Sequence, residues 1–260
     1  MTGHWLTVFG ICFIFMMTTL GSAVVFFFKG EIYQKTQAFF LGLASGVMIS
    51  ASVWSLLLPA LDTFTLSFGK LAFIPAVVSV LLGGLFLMIL DVLFPVFNAN
   101  HKKTNISFAK PFRLFLAVTF HNIPEGLAVG FAFGSAFVSG EITAFAGAIG
   151  LAVGIGVQNF PEGMAVALPM KTALNSNRKA FLWGTGSGIA EPIFAFLGFV
   201  LASQLQILQP WLLASSAGAM LFVSAEDLIP DAKIPEKPKL GAWGVLIGFV
   251  LMMALDVGLG

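Results

Sequence analysis

Charge is what this sequence has least of. Charged residues make up 10% of the 260, against about 25% in an average soluble domain. Hydrophobic residues account for 58%, so most of the chain's surroundings must be lipid and it reads as an integral membrane protein. A formal net charge of +1 gives a nucleic acid nothing to bind. Cysteine is almost missing: the lone Cys12 permits neither an intramolecular disulfide nor a thiolate metal cluster. No Lys or Arg precedes the first apolar run, which is too long for the core of a signal peptide and therefore counts as a span. No large ectodomain is expected ahead of Trp5.

What is present is a series of apolar runs near the roughly 20 residues needed to cross a bilayer. They fall at about 5–28, 36–61, 71–97, 112–138, 142–169, 180–203, 210–230 and 241–259, predicting an all-α protein of eight transmembrane helices in one domain over residues 1–260. Twelve of the thirteen basic residues lie in or beside the first, third, fifth and seventh loops; Lys70 is the exception. The positive-inside rule then places those loops in the cytoplasm and both termini outside.

Repeats organise these spans. His121-Asn122-Ile123-Pro124-Glu125-Gly126 in span four returns as Gln158-Asn159-Phe160-Pro161-Glu162-Gly163 in span five, at an offset of 37. The stretch from Gly83 to Val92 in span three echoes that from Gly248 to Val257 in span eight. Gly46-Val47-Met48 and Leu57-Leu58-Pro59 in span two echo Gly218-Ala219-Met220 and Leu228-Ile229-Pro230 in span seven, one residue out of step. Because spans three and eight run in opposite directions, helices 1–3 and 6–8 form an inverted repeat around a central pair, the arrangement that locates binding sites in transporters.

Helical spacing projects His121, Asn122 and Glu125 from one face of span four, and Gln158, Asn159 and Glu162 from one face of span five. A charge inside the bilayer costs at least about 2.5–3.5 kcal/mol, so each carboxylate needs compensation. Pro124 and Pro161 free the carbonyls of Phe120 and Val157, and Glu191-Pro192 in span six frees that of Gly188. Carboxylates, one imidazole and amide oxygens at similar depth suit a borderline divalent cation, with Zn(II) favoured and Mn(II) or Fe(II) accepted. Two other readings compete: polar glue between helices, and a path for protons or monovalent ions. Further out, Asp62 and Asp256 are expected at the outer mouth, and Asp91, Glu226 and Asp227, with Asp231, at the inner mouth, where acidic sets attract and pass cations. His4 and His101 read as bystanders.

With these residues in view, the chain resembles the ZIP family of divalent metal-ion transporters, and its paired motifs resemble the GufA-like, prokaryotic branch. The resemblance covers essentially the whole chain, including Glu191-Pro192 and the stretch from Glu226 to Pro230. It implies a transport pathway on helices four and five and a binuclear site holding two metal ions per chain. His121, Glu125, Gln158 and Glu162, with Glu191, would hold one metal; Asn122, Asn159, Glu125, Glu162 and Glu191 would hold its neighbour. No resident cofactor is implied, and the partners are divalent ions, the lipid bilayer and, as a family expectation, a second copy in a homodimer. Gln158 stands where many members carry His, and Asn159 where many carry Asp or Glu, so the site is less anionic and less nitrogen-rich. Only His101 occupies the third loop, where many members have a His-rich segment.

The expected function is uptake of Zn(II), with Mn(II), Fe(II), Co(II) or Cd(II) tolerated, across an inner membrane by alternating access. The resemblance implies that one bundle slides relative to the other, and the Gly- and Ala-rich faces of spans two and seven (Gly42, Ala44, Gly46; Ala217, Gly218) would permit close, low-relief packing. A cation/proton exchanger or channel is the alternative. An intramembrane metalloenzyme fits less well, since His-Glu-x-x-His is absent and only His121 lies in the core.

Overall fold

A computed structural model describes the backbone of residues 2–28, 30, 32–99, 106–234 and 237–259; some side chains within these stretches, that of Asp91 among them, lie outside the description, as does His101. Eight helices follow one another, with no strand among the described residues. They are α1 (Thr2–Ala23), α2 (Gln34–Leu71), α3 (Phe73–Ala99), α4 (Ile106–Ser139), α5 (Ile142–Leu174), α6 (Asn177–Ser187 continued by Ala190–Leu205), α7 (Gln209–Ala232) and α8 (Pro238–Leu259). Seven are long and apolar enough to cross a membrane, and α3 adds a shorter apolar stretch over Phe73–Ile89. Large apolar side chains such as Leu66, Phe73, Leu81 and Phe196 point outward, as lipid as solvent requires.

The helices pair by the repeat. α2 packs along α8 and α7 along α3, while α1 packs along α5 and α6 along α4. Exchanging helices 1–3 with 6–8, and α4 with α5, converts each pair into its counterpart. Two four-helix halves result: α1, α4, α5 and α6 in one, α2, α3, α7 and α8 in the other. They meet mainly where α2 crosses α5 and α7 crosses α4.

The one-residue slip between the repeats has a structural cause. Both α2 and α7 carry a π-helical turn before their Leu-x-Pro sequence, Ser52–Leu57 in α2 and Ser224–Leu228 in α7. The first has six residues and the second five, which absorbs the difference between the Gly46–Pro59 and Gly218–Pro230 spacings. The glycines of these two helices pack closely, as their composition suggests. A Cβ at Gly46 would overlap the carbonyl oxygen of Val245 on α8, and one at Gly218 that of Val80 on α3. Gly42 likewise sits on Gly241 of α8. At these glycines the close approach is to a helix of the same half.

α2 also runs past its expected end near residue 61. The hydroxyls of Thr63 and Thr65 bond back to Pro59 and Leu61, and helix persists until Gly69 adopts φ +53°. Pro124 and Pro161 lie within continuous helix. α6 alone breaks, at Gly188 and Ile189, and there the Gly188 carbonyl accepts the Glu191 N–H at 3.1 Å.

Candidate metal centre

Seven polar residues from α4, α5 and α6 lie buried along these helices, all essentially sealed from solvent: His121, Asn122, Glu125, Gln158, Asn159, Glu162 and Glu191. The sequence motifs therefore meet in space. Ligand atoms of His121, Glu125 and Glu162 all lie within 4.8 Å of one another. His121 Nε2 is 3.2 Å from Glu162 Oε2, yet no aligned hydrogen bond joins them. The other ring nitrogen, Nδ1, faces the Ala117 carbonyl at 3.3 Å, which holds the ring with Nε2 turned toward the carboxylate. A ring nitrogen and a carboxylate oxygen that face each other without an aligned hydrogen bond can both bind one cation.

The rest of this cluster is equally short of donors. Gln158 Nε2 donates to Glu125 Oε1 at 2.6 Å, and the amide's own Oε1 has no partner. Glu125 Oε2 and both oxygens of Glu162 also lack hydrogen-bond donors. Buried carboxylate oxygens without donors are rare because each carries the full desolvation penalty. One imidazole nitrogen, one amide oxygen and two carboxylates form a hard-to-borderline donor set of the kind a divalent transition metal takes.

Glu191 is treated differently. Its Oε1 accepts from Thr18 Oγ1 at 2.8 Å and Asn122 Nδ2 at 3.1 Å, and its Oε2 accepts from Asn159 Nδ2 at 2.7 Å. Asn122 also donates to the Ser187 carbonyl, and Asn159 to the Ile14 carbonyl, at 3.1 and 3.3 Å. With their N–H groups committed, both Asn residues are left with unpartnered Oδ1 atoms. Sequence reasoning placed Glu191, Asn122 and Asn159 here but missed α1, because Thr18 is a lone hydroxyl in an apolar run.

The flanking acidic residues separate. Asp256 lines a cavity of about 580 Å³ formed by Trp54, Ser55 and Pro59 of α2, the first half of α5, the start of α7 and the end of α8. Ser55 Oγ donates to Asp256 Oδ1 at 2.7 Å. This cavity opens between the two halves at the end away from the Lys-rich loops, and its lining reaches Val157, the neighbour of Gln158. Asp62 is exposed on α2 and outside that lining. At the opposite end, Asp227 is buried and ion-paired with Arg113 of α4, again across the two halves. Arg113 lies eight residues before His121, about 12 Å along the helix. Glu226 is exposed and Asp231 partly so, while the Asp91 side chain lies outside the described residues.

Known proteins are similar to this chain over most of its length. The family model described as "ZIP Zinc transporter" matches residues 111–256. The chain is 34% identical to "Zinc transporter ZIP11" of Xenopus tropicalis, covering 94% of each protein. It is 33% identical to "Zinc transporter ZIP11" of Homo sapiens over 96% of each, and 34% identical to "Zinc transporter GufA" of Myxococcus xanthus over 88% of the chain and 90% of the relative. An all-helical membrane bundle with these relatives is a multi-pass transporter and not an enzyme; the chain belongs to the ZIP zinc transporter family.

Proposed function

We propose that the protein carries Zn(II) into the cytoplasm through a binuclear site on α4, α5 and α6, within one transporter domain. The observation that carries this reading is the donor-poor cluster of His121, Glu125 and Glu162, a buried set of acceptors that a dication would neutralise. His121, Glu125, Gln158 and Glu162 hold the first ion. Asn122, Asn159 and Glu191 face the second, with Glu125 and Glu162 bridging. Oxygen-rich ligation with a single imidazole holds metal loosely enough to release it and admits Mn(II), Fe(II), Co(II) and Cd(II) as lesser substrates.

The Lys-rich loops face the cytoplasm of an inner membrane, and both termini lie outside. Zinc then enters through the cavity at Asp256, with Asp62 above it as a surface attractor. It leaves past Asp227, whose pairing with Arg113 spans the two halves at the exit, and then Glu226 and Asp91. Alternation consists of opening the two halves at one end while they close at the other.

Zinc uptake into proteoliposomes tests this. The parent protein saturates with zinc, and Glu125→Ala combined with Glu162→Ala loses at least about 100-fold, the scale expected when ligands rather than their supports are removed. Equal uptake by that variant and the parent would refute the site.

A further inference from the structure

We infer that Thr18 on α1 is a positioning residue for Glu191, and through it for the second metal position. The inference rests on the metal-transport reading above and adds a helix to it.

Hydroxyls in helices ordinarily fold back onto the carbonyl four residues earlier. Ser52 does so onto Met48 at 2.7 Å, Ser79 onto Pro75 at 2.8 Å, Thr119 onto Phe115 at 2.7 Å and Ser22 onto Thr18 at 2.8 Å. Thr18 departs from this habit. Its Oγ1 stands 3.4 Å from the Ile14 carbonyl but 2.8 Å from Glu191 Oε1, and a hydroxyl has one hydrogen to give. The hydrogen goes to the carboxylate.

The Ile14 carbonyl then accepts from Asn159, whose Nδ2 also reaches Glu191 Oε2. α1 thus holds Glu191 by a side chain and Asn159 by its backbone. Together with Asn122, these donors fix the plane of the Glu191 carboxylate and the direction in which both amides turn. The two oxygens left over, Asn122 Oδ1 and Asn159 Oδ1, are buried and unpartnered, and they are the ones the second metal would use.

An independent feature marks the same contact. α6 breaks at Gly188, and a Cβ there would come 2.8 Å from Thr18 Cγ2 and 3.2 Å from Glu191 Oε1. Only a residue without a side chain lets Thr18 and Glu191 meet. A methyl at this point is a wedge between them.

The test is zinc bound by purified full-length protein at buffered free zinc, counted by mass spectrometry, with thermal melting as a check on folding. The parent binds two ions. Thr18→Val keeps the shape and removes the donor; it binds the first ion as the parent does and the second about ten-fold or more weakly, the usual effect of losing a partner that orients a ligand. Thr18→Ser, which keeps the hydroxyl, restores the second ion, and Gly188→Ala reproduces the Val defect. Two ions bound to Thr18→Val with parental affinity would overturn the inference and leave the transport reading standing. So would an equal loss in Thr18→Ser, which would assign the effect to shape. A parent that binds fewer than two zincs would overturn the two-metal reading and this inference with it.

Discussion

Glu162 and Glu191 are the same residue type, equally buried, and both border the candidate metal centre, yet they are solvated in opposite ways. Glu191 accepts three hydrogen bonds, from Thr18, Asn122 and Asn159. Neither oxygen of Glu162 has a hydrogen-bond donor; its near neighbour is Nε2 of His121, 3.2 Å away without an aligned hydrogen bond. A carboxylate surrounded by donors is stable with or without an ion. One without donors is stabilised by taking up a cation or a proton. In the proposed site Glu191 therefore serves as the frame, and Glu162, with Glu125 and His121, as the part that takes the cargo.

The contrast can be broken by removing one charge at a time. Glu162→Gln should reduce zinc uptake most, by about 100-fold, whereas Glu191→Gln, which leaves the first ion's ligands in place, should cost about ten-fold, both read as initial rates in proteoliposomes. Equal losses would erase the distinction. Next in size, His121→Gln should weaken the first zinc by about ten-fold or more, because it deletes the site's one nitrogen ligand; Gln158→His should not weaken it, since an imidazole replaces an amide oxygen. Competition against a zinc-binding dye measures both.

A smaller effect tests the frame rather than the ions. Gly46→Val and Gly218→Val each drive a side chain into a partner helix's backbone, and should destabilise the protein by about 1–3 kcal/mol to similar extents, seen as lowered melting temperature. Dissimilar losses would argue against equivalent roles for the two repeats. Smallest is Arg113→Gln. Its pair with Asp227 is partly exposed on the arginine side, so the loss of stability should be about 1 kcal/mol or less by the same melting assay.

Much of this arrangement was legible in the sequence because helices impose spacing. His121 and Glu125, and Gln158 and Glu162, share a face at four-residue intervals, and a buried charge in an apolar run announces itself. The inverted repeat was visible in short matches, and the extra residue of the α2 π-turn appeared as their one-residue slip. Three features were not legible. A threonine in an apolar helix carries no sign that its hydroxyl leaves its own helix, so Thr18 was missed. Arg113 and Asp227 lie 114 residues apart, and nothing local joins them. The glycines of α2 and α7 signalled close approach but not the partner, which proved to lie within the same half.

Zinc-edge anomalous scattering from the zinc-loaded protein tests the central claim most directly. The account predicts a strong peak bounded by His121, Glu125, Gln158 and Glu162, with a second on the side of Asn122, Asn159 and Glu191. A zinc-loaded protein with no anomalous peak between α4 and α5 would contradict it.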